Sequence, residues 1–187
     1  MTYSRRNMAT YQRTAQQRKL DKQRSEGYEH FVSSQITRPL LTRFNAKDDL
    51  DIYTPGWYIE IKEKHSKMTN RWPIPEGCEE RNAFIVDELS IRRAMRHYPQ
   101  VFFLLRDNVD KENPRVFIVP IWEMITLPKK RVNREGNTGH KKGKWIIDLT
   151  LCTRLAHEKD AQEYCDHAMV STPWLNSECL GEGVNNV

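Results

Sequence analysis

A short segment in the first half of the chain brings two carboxylates and an amine close together in sequence. Residues 49–64 read DLDIYTPGWYIEIKEK, with Pro-Gly between two runs rich in β-branched and aromatic residues. This pattern predicts two strands joined by a turn. In the second strand, Trp57, Ile59 and Ile61 alternate with charged residues, so the apolar set faces a core and Glu60 and Lys62 face the other side. If the turn has two residues, Asp51 lies opposite Glu60, whereas a three-residue loop would break this register.

The predicted charged face suits a divalent cation. Two carboxylates that lie close together repel each other unless a cation joins them. Hard oxygen ligands of this kind suit Mg²⁺ or Mn²⁺. Such an ion lowers the pKa of a bound water and stabilises charge on a phosphoryl oxygen, while Lys62 would position the attacking water or stabilise the transition state. The simpler interpretation is an exposed hairpin whose charges are solvated.

Asp51 followed by Glu60-Ile61-Lys62 resembles the D…(D/E)xK signature of the PD-(D/E)xK nuclease superfamily. The resemblance covers residues 25–121 and implies an α/β fold with a restriction-endonuclease-like mixed β-sheet core (αβββαβ) flanked by helices. It implies that Asp51, Glu60 and the backbone carbonyl of Ile61 bind the metal and that Lys62 is the catalytic lysine. No proline precedes Asp51, the interval to Glu60 is short, and Asp49 has the same parity as Asp51, so Asp49 is the alternative ligand.

Archaeal-type Holliday junction resolvases, which belong to the same superfamily, carry a further glutamate on their first helix. Residues 25–38 predict such a helix, because Tyr28, Phe31, Val32 and Ile36 follow helical spacing and Ser25 suits its N-cap. Glu29 matches the place of the resolvase glutamate, with Glu26 one turn earlier as the alternative. The resemblance therefore adds Glu29 to the candidate catalytic residues.

The rest of the chain supplies the elements that position these residues. Apolar patterns predict strands at 40–46, 49–53, 57–64, 101–105, 115–121 and 145–151, and helices at 83–97 and 153–169, with a short helix after residue 121. The helix at 83–97 would bury Phe84, Leu89, Ile91 and Met95. We therefore expect a basic flexible arm at 1–24, one domain at 25–175 with a basic loop at 129–144, and a C-terminal tail at 176–187.

Positive charge is concentrated in two segments. The chain has a net charge of +5; residues 1–25 and 129–144 each carry a net +6, which leaves −7 for the rest. Basic segments on an acidic body predict contacts with a polyanion, here duplex or branched DNA. The candidate nucleic-acid contacts are Arg5, Arg6, Arg13, Arg18, Lys64, Lys67, Arg71, Lys129, Lys130, Arg131, Lys141 and Lys142.

Several classes of protein are disfavoured. No run of about 18 apolar residues predicts a transmembrane helix, and the first 20 residues lack the apolar core of a secretory signal. The four cysteines are too few and too scattered for a disulfide scaffold or a zinc site. We therefore expect an intracellular, cytoplasmic protein without membrane contacts, in the host cell if the protein is viral.

Two functions remain as hypotheses. The first is an Mg²⁺-dependent endonuclease, a hydrolase of DNA phosphodiester bonds of the kind found in phage or mobile-element resolvases and in recombination or repair nucleases. Such an enzyme is expected to act as a homodimer, because cutting two strands needs two sites. The alternative is a non-catalytic nucleic-acid-binding or interaction protein that retains the nuclease fold.

Overall fold

A computed structural model describes residues 14–38, 40–43, 50–68, 72–135 and 141–171. Four helices lie in these ranges: α1 (Ala15–Gln35), α2 (Glu88–Ala94), α3 (Ile121–Thr126) and α4 (Asp160–Ser171). The strands are β1 (Thr42–Arg43), β2 (Ile52–Thr54), β3 (Trp57–Lys64), β4 (Ala83–Asp87), β5 (Val101–Asp107), β6 (Arg115–Pro120), β7 (Lys129–Glu135), β8 (Lys141–Asp148) and β9 (Thr153–Leu155).

The central sheet has six strands in the order β1-β2-β3-β5-β6-β9. Strands β3 and β5 are parallel, and the other neighbouring pairs are antiparallel. A parallel pair needs a crossover connection, and the chain makes it through β4 and α2. The fold is therefore α/β with a mixed sheet flanked by helices, as the sequence predicted.

The central sheet is buried on both faces. On one face, Ile59, Ile61 and Phe102 pack with Val32 of α1 and Ala161 of α4. On the other face, Phe103 and Leu105 pack with Phe84, Ile91 and Ile147 from β4, α2 and β8. The continuous apolar run at 101–105 supplies both cores, because alternate residues of a strand point to opposite faces. This confirms the prediction that β5 is buried on both sides.

A second sheet, in the order β4-β8-β7, corrects two of the predictions. The helix predicted at 83–97 begins only at Glu88, because residues 83–87 form β4 and pair with β8. Leu89 and Met95, predicted to be buried, are 58% and 44% exposed. The predicted basic loop at 129–144 is a hairpin of two strands, β7 and β8, with residues 136–140 outside the described ranges.

The boundaries of two helices also differ from the prediction. Helix α1 begins at Ala15 rather than Ser25, because Thr14 and Gln17 form a capping box in which each side chain accepts a hydrogen bond from the other's backbone N–H. Residues 15–24 are thus helical and continuous with the helix predicted from residue 25. The helix predicted at 153–169 starts only at Asp160, after the short edge strand β9.

Other predicted segments lie outside the described residues. These are residues 1–13 of the arm, residues 44–46 of the first predicted strand and the tail at 176–187. Among the helices that the structure does describe, none is both long enough and apolar enough to cross a membrane.

Candidate active site

The turn between β2 and β3 has the two-residue form. Thr54 pairs with Trp57 and Ile52 with Ile59, which leaves Pro55 and Gly56 as the connecting residues. Gly56 has a φ of +109°, a conformation that favours glycine. The same register places Asp51, just before β2, opposite Glu60 of β3, as the two-residue alternative predicted.

The ammonium group of Lys62 lies among three oxygen atoms of this hairpin. Its Nζ is 2.5 Å from Oε1 of Glu60 and 4.0 Å from Oδ2 of Asp51, and it donates a hydrogen bond of 3.0 Å to the carbonyl oxygen of Ile61. The backbone N–H of Ile61 donates to Oδ2 of Asp51 at 2.6 Å. The structure therefore brings together all four residues of the predicted motif around one positive charge.

Burial raises the free-energy cost of keeping the two carboxylates of this cluster charged. Asp51 is 4% and Glu60 5% exposed. Burial, together with the neighbouring Glu60 carboxylate, raises the pKa of Asp51 to about 7, although Lys62 and the Ile61 N–H act in the opposite direction. Burial alone would lower the pKa of Lys62, but Glu60 and Asp51 outweigh it and the net pKa is raised. One ammonium thus compensates the two acids only in part.

The donor set fits a divalent cation. Two buried carboxylates and one carbonyl are hard oxygen donors, and all three lie within 4.0 Å of a single point that a cationic group already occupies. A second positive charge would offset the repulsion between the Asp51 and Glu60 carboxylates, which helps to raise the pKa of Asp51. Across the described ranges, no group of three or more His, Cys, Asp and Glu side chains has the arrangement of a metal site. The fit therefore depends on two carboxylates and the Ile61 carbonyl.

Glu29 lies at the edge of this cluster. It is buried in α1, accepts a hydrogen bond of 2.9 Å from Oγ of Ser25, and contributes to the raised pKa of Asp51. The alternative, Glu26, forms an exposed pair with Lys22 at 3.4 Å. The geometry thus favours Glu29 over Glu26 as a neighbour of the cluster. Asp49, the alternative to Asp51, lies outside the described residues.

The structure adds Asp87, which lies within the predicted helix at 83–97. Asp87 ends β4 and is the N-cap residue of α2, and its carboxylate is close enough to help raise the pKa of Lys62. It also accepts a hydrogen bond from Nζ of Lys144, its partner in β8. An acid between a β-branched run and a helical segment was the local signal, but the approach to Lys62 depends on the tertiary fold.

The predicted nucleic-acid contacts include both bound and exposed side chains. Some have intramolecular partners: Lys64 binds Asp107 and the carbonyl of Ala83, Lys129 binds the carbonyls of Ile125 and Leu127, and Arg131 binds Glu88. Arg18, Lys67, Lys130 and Lys142 are exposed. Lys141 begins β8, and Arg5, Arg6, Arg13 and Arg71 lie outside the described residues.

The exposed lysines Lys130 and Lys142 lie on one face of the hairpin. In an antiparallel ladder, directly paired residues share a face, and so do residues two apart in one strand. Val132 pairs with Lys144 in this ladder, so Lys130 and Lys142 share a face with Lys144, which binds Asp87. The exposed lysines of the hairpin therefore lie on the face that carries the Lys144–Asp87 pair.

No protein-family model matches this chain, and no curated protein sequence matches it significantly. Among solved structures, the chain is similar to the structure of D212, a nuclease from a fusselovirus. The two chains are 14% identical, and the comparison covers 85% of this chain and 98% of that chain with a TM-score of 0.42. A similarity at this level does not transfer function from one protein to another.

Proposed function

We propose that this chain is a metal-dependent endonuclease that hydrolyses phosphodiester bonds in DNA. The observation that carries this proposal is the convergence of Asp51, Glu60 and the Ile61 carbonyl on one cationic position, with the amine of Lys62 beside them. Paired acids and a lysine at the end of a buried hairpin match the signature that the sequence resembles. The expected cofactor is Mg²⁺ or Mn²⁺.

The roles of the residues follow from their chemistry. Asp51 and Glu60 would hold the ion with their carboxylates, and Ile61 would add its carbonyl oxygen. When bound, the ion would supply an activated water and stabilise charge on the phosphoryl oxygen. Lys62 would turn its ammonium from Glu60 towards the phosphate and stabilise the negative charge that develops during attack. Glu29 and Asp87 would orient the carboxylates and the amine from either side.

The test is cleavage of plasmid and four-way-junction DNA in the presence of Mg²⁺ or Mn²⁺. We expect Glu60→Gln and Lys62→Met each to lower the cleavage rate by about 100-fold or more. The matched controls Glu112→Gln and Lys159→Met make the same chemical changes at exposed positions away from the site and should cleave like the wild type. Cleavage that persists in both site variants would remove this cluster from the mechanism.

Metal binding gives a second readout that does not depend on activity. Titration with Mn²⁺, followed by calorimetry, should show binding to the wild type and to Lys62→Met, because the lysine is not a ligand and competes for the same oxygens. Glu60→Gln and Asp51→Asn should bind Mn²⁺ at least tenfold more weakly, since each loses a charged ligand. Equal affinity in all four proteins would place the metal elsewhere.

The same experiment separates the nuclease from the alternative. A non-catalytic nucleic-acid-binding protein would retain salt-sensitive DNA binding but neither cut DNA nor bind Mn²⁺ through Asp51 and Glu60. Preference for the four-way junction over linear duplex would support a resolvase or recombination nuclease. Homodimerisation remains a prediction, and sedimentation of the chain with and without junction DNA tests it.

A further inference from the structure

A pocket lies on the other side of the central sheet from the candidate active site. It is a cavity of about 440 Å³ beside α1 and the end of β3, a size typical of small-molecule sites. Glu63 in its lining directly follows Lys62 in β3, so strand alternation puts the two side chains on opposite faces. The residues that could recognise a ligand are Arg24, Gly27, Tyr28, Phe31, Arg106 and Lys111.

The pocket offers an aromatic surface and open space above it. Phe31 is 44% exposed, and its ring lies 6.4 Å from that of Tyr28 with an interplanar angle of 19°. Gly27 belongs to the interior of α1, where glycine is unfavourable, and a Cβ added there would meet no atom within 4 Å. An exposed aromatic ring next to a helix position without a side chain leaves room for a planar base to stack.

The charges of the pocket favour an anion. Among the lining residues that the structure describes, Glu63 is the one carboxylate; it accepts a hydrogen bond from Asn108 at 3.1 Å and pairs with His65 at 2.9 Å and Arg106 at 3.5 Å. Arg106 also lies 4.7 Å over the ring of Tyr28, and its buried Nε, which has no hydrogen-bond partner in the described part of the chain, forms an ion pair of 3.6 Å with Oε1 of Glu158.

Arg24 and Lys111 supply the remaining charge of the pocket. Both line the cavity and are exposed to solvent, and neither forms an ion pair with any residue that the structure describes. Two cations next to an aromatic platform match the phosphate and the base of one nucleotide.

We propose that this pocket binds a nucleoside phosphate in the form of an unpaired nucleotide of a nucleic acid strand. The base stacks on Phe31, and the phosphate binds Arg24 and Lys111. This inference rests on the proposed function for its choice of ligand, since a strand cut at one face of the sheet can extend to the other. A free mononucleotide has the same chemistry and is the second source of ligand to be distinguished.

The test measures the affinity for a fluorescent oligothymidylate strand by anisotropy. Phe31→Leu should weaken binding by roughly tenfold through lost stacking, and Arg24→Gln should weaken it and flatten its salt dependence. The matched control Lys22→Gln removes the same charge from an exposed position of α1 outside the pocket and should bind within twofold of the wild type. Affinities for Phe31→Leu and Arg24→Gln that equal the control would overturn the proposal.

Competition with thymidine 5′-monophosphate and inorganic phosphate identifies the source of the ligand. Strand binding that depends on Phe31 supports the proposal, and it is strengthened if the mononucleotide competes and phosphate at the same concentration does not. Equal competition by phosphate would overturn base recognition. If the mononucleotide binds but the affinity for the strand is unchanged by Phe31→Leu and Arg24→Gln, the assignment of the pocket to a strand would be overturned.

These experiments distinguish failure of the pocket proposal from failure of the proposed nuclease function. The Glu60→Gln and Lys62→Met proteins should keep the Phe31-dependent strand binding, because their changes lie on the other face of the sheet. Phe31-dependent strand binding without any DNA cleavage would support the pocket proposal and overturn the proposed nuclease function. DNA cleavage together with strand binding that is unaffected by Phe31→Leu would support the nuclease function and overturn the pocket proposal.

Discussion

Asp51 keeps a proton that an exposed aspartate would lose. Burial and the adjacent Glu60 carboxylate raise its pKa from 3.8 to about 7. Between about pH 4 and pH 7 the folded state therefore holds a proton that the unfolded chain has released, so the free energy of unfolding falls as the pH rises through this window. Over the whole window the loss is at most about 4 kcal/mol.

We predict that Asp51→Asn removes this dependence. In a metal chelator, urea denaturation at about pH 5 and about pH 8 should show a smaller loss of stability for the variant than for the wild type. The exposed Asp110→Asn should keep the wild-type dependence. A wild-type protein whose stability changes between these pH values no more than that of Asp51→Asn would contradict the raised pKa.

At the scale of elements, the cationic side chains of the β7–β8 hairpin differ in whether they are exposed or bound within the protein. Lys130 and Lys142 are exposed on the face shared with Lys144, whereas Lys129 and Arg131 are bound to carbonyls and to Glu88. We predict that Lys130→Gln and Lys142→Gln each weaken duplex DNA binding and lower its salt slope by about 1. Anisotropy at several salt concentrations measures both quantities.

The matched control for the hairpin prediction is Lys129→Gln. This change removes the same charge from the same strand, but its ammonium is held by backbone carbonyls and lies 4.5 Å over the ring of Trp145. It should lower the melting temperature and leave the salt slope unchanged. A salt slope that falls equally for Lys129→Gln and Lys130→Gln would show that the two faces do not differ.

A close approach fixes the hairpin to α2. A Cβ at Gly143 would lie 1.9 Å from Oε2 of Glu88, the atom that accepts from Nε of Arg131 at 2.7 Å. We predict that Gly143→Ala lowers the melting temperature by a few degrees, because the Glu88 side chain must turn away and release Arg131. In a Glu88→Ala background, the same change should cost much less.

Gly27→Ala is the matched control for Gly143→Ala. Its Cβ would meet nothing within 4 Å, and alanine is the better helix former by about 1 kcal/mol, so the melting temperature should rise. Additive effects of Gly143→Ala and Glu88→Ala would contradict a direct clash between the two side chains.

These elements show which features the sequence could predict. Strand β3 was predicted with its observed bounds, because its alternation and the Pro-Gly turn are local signals. The same local signals predict that Asp51 lies opposite Glu60. Strand β4 lies within a segment whose local pattern predicts a helix, since its strand conformation depends on pairing with β8 about 60 residues later. For the same reason, the approach of Asp87 and Lys144 to the site could not be predicted.

At the scale of the whole molecule, the positive charge must overcome an acidic body. Outside its two basic segments the chain carries a net charge of −7, which repels DNA except where cations face it. Residues 1–13 contribute Arg5, Arg6 and Arg13 and no acid. Helix α1 is capped by Thr14 through its own side chain, so its start does not require the preceding residues.

We therefore predict that deleting residues 1–13 leaves the melting temperature unchanged but weakens DNA binding. Each phosphate contact contributes about 0.9 to the slope of log affinity against log salt, so the slope should become smaller by up to about 3. Replacing the three arginines by glutamine at full length is the matched control and should reproduce the effect, because charge rather than length is responsible. An unchanged slope in both proteins would exclude phosphate contacts by this segment and leave the hairpin lysines as the main electrostatic contact with DNA.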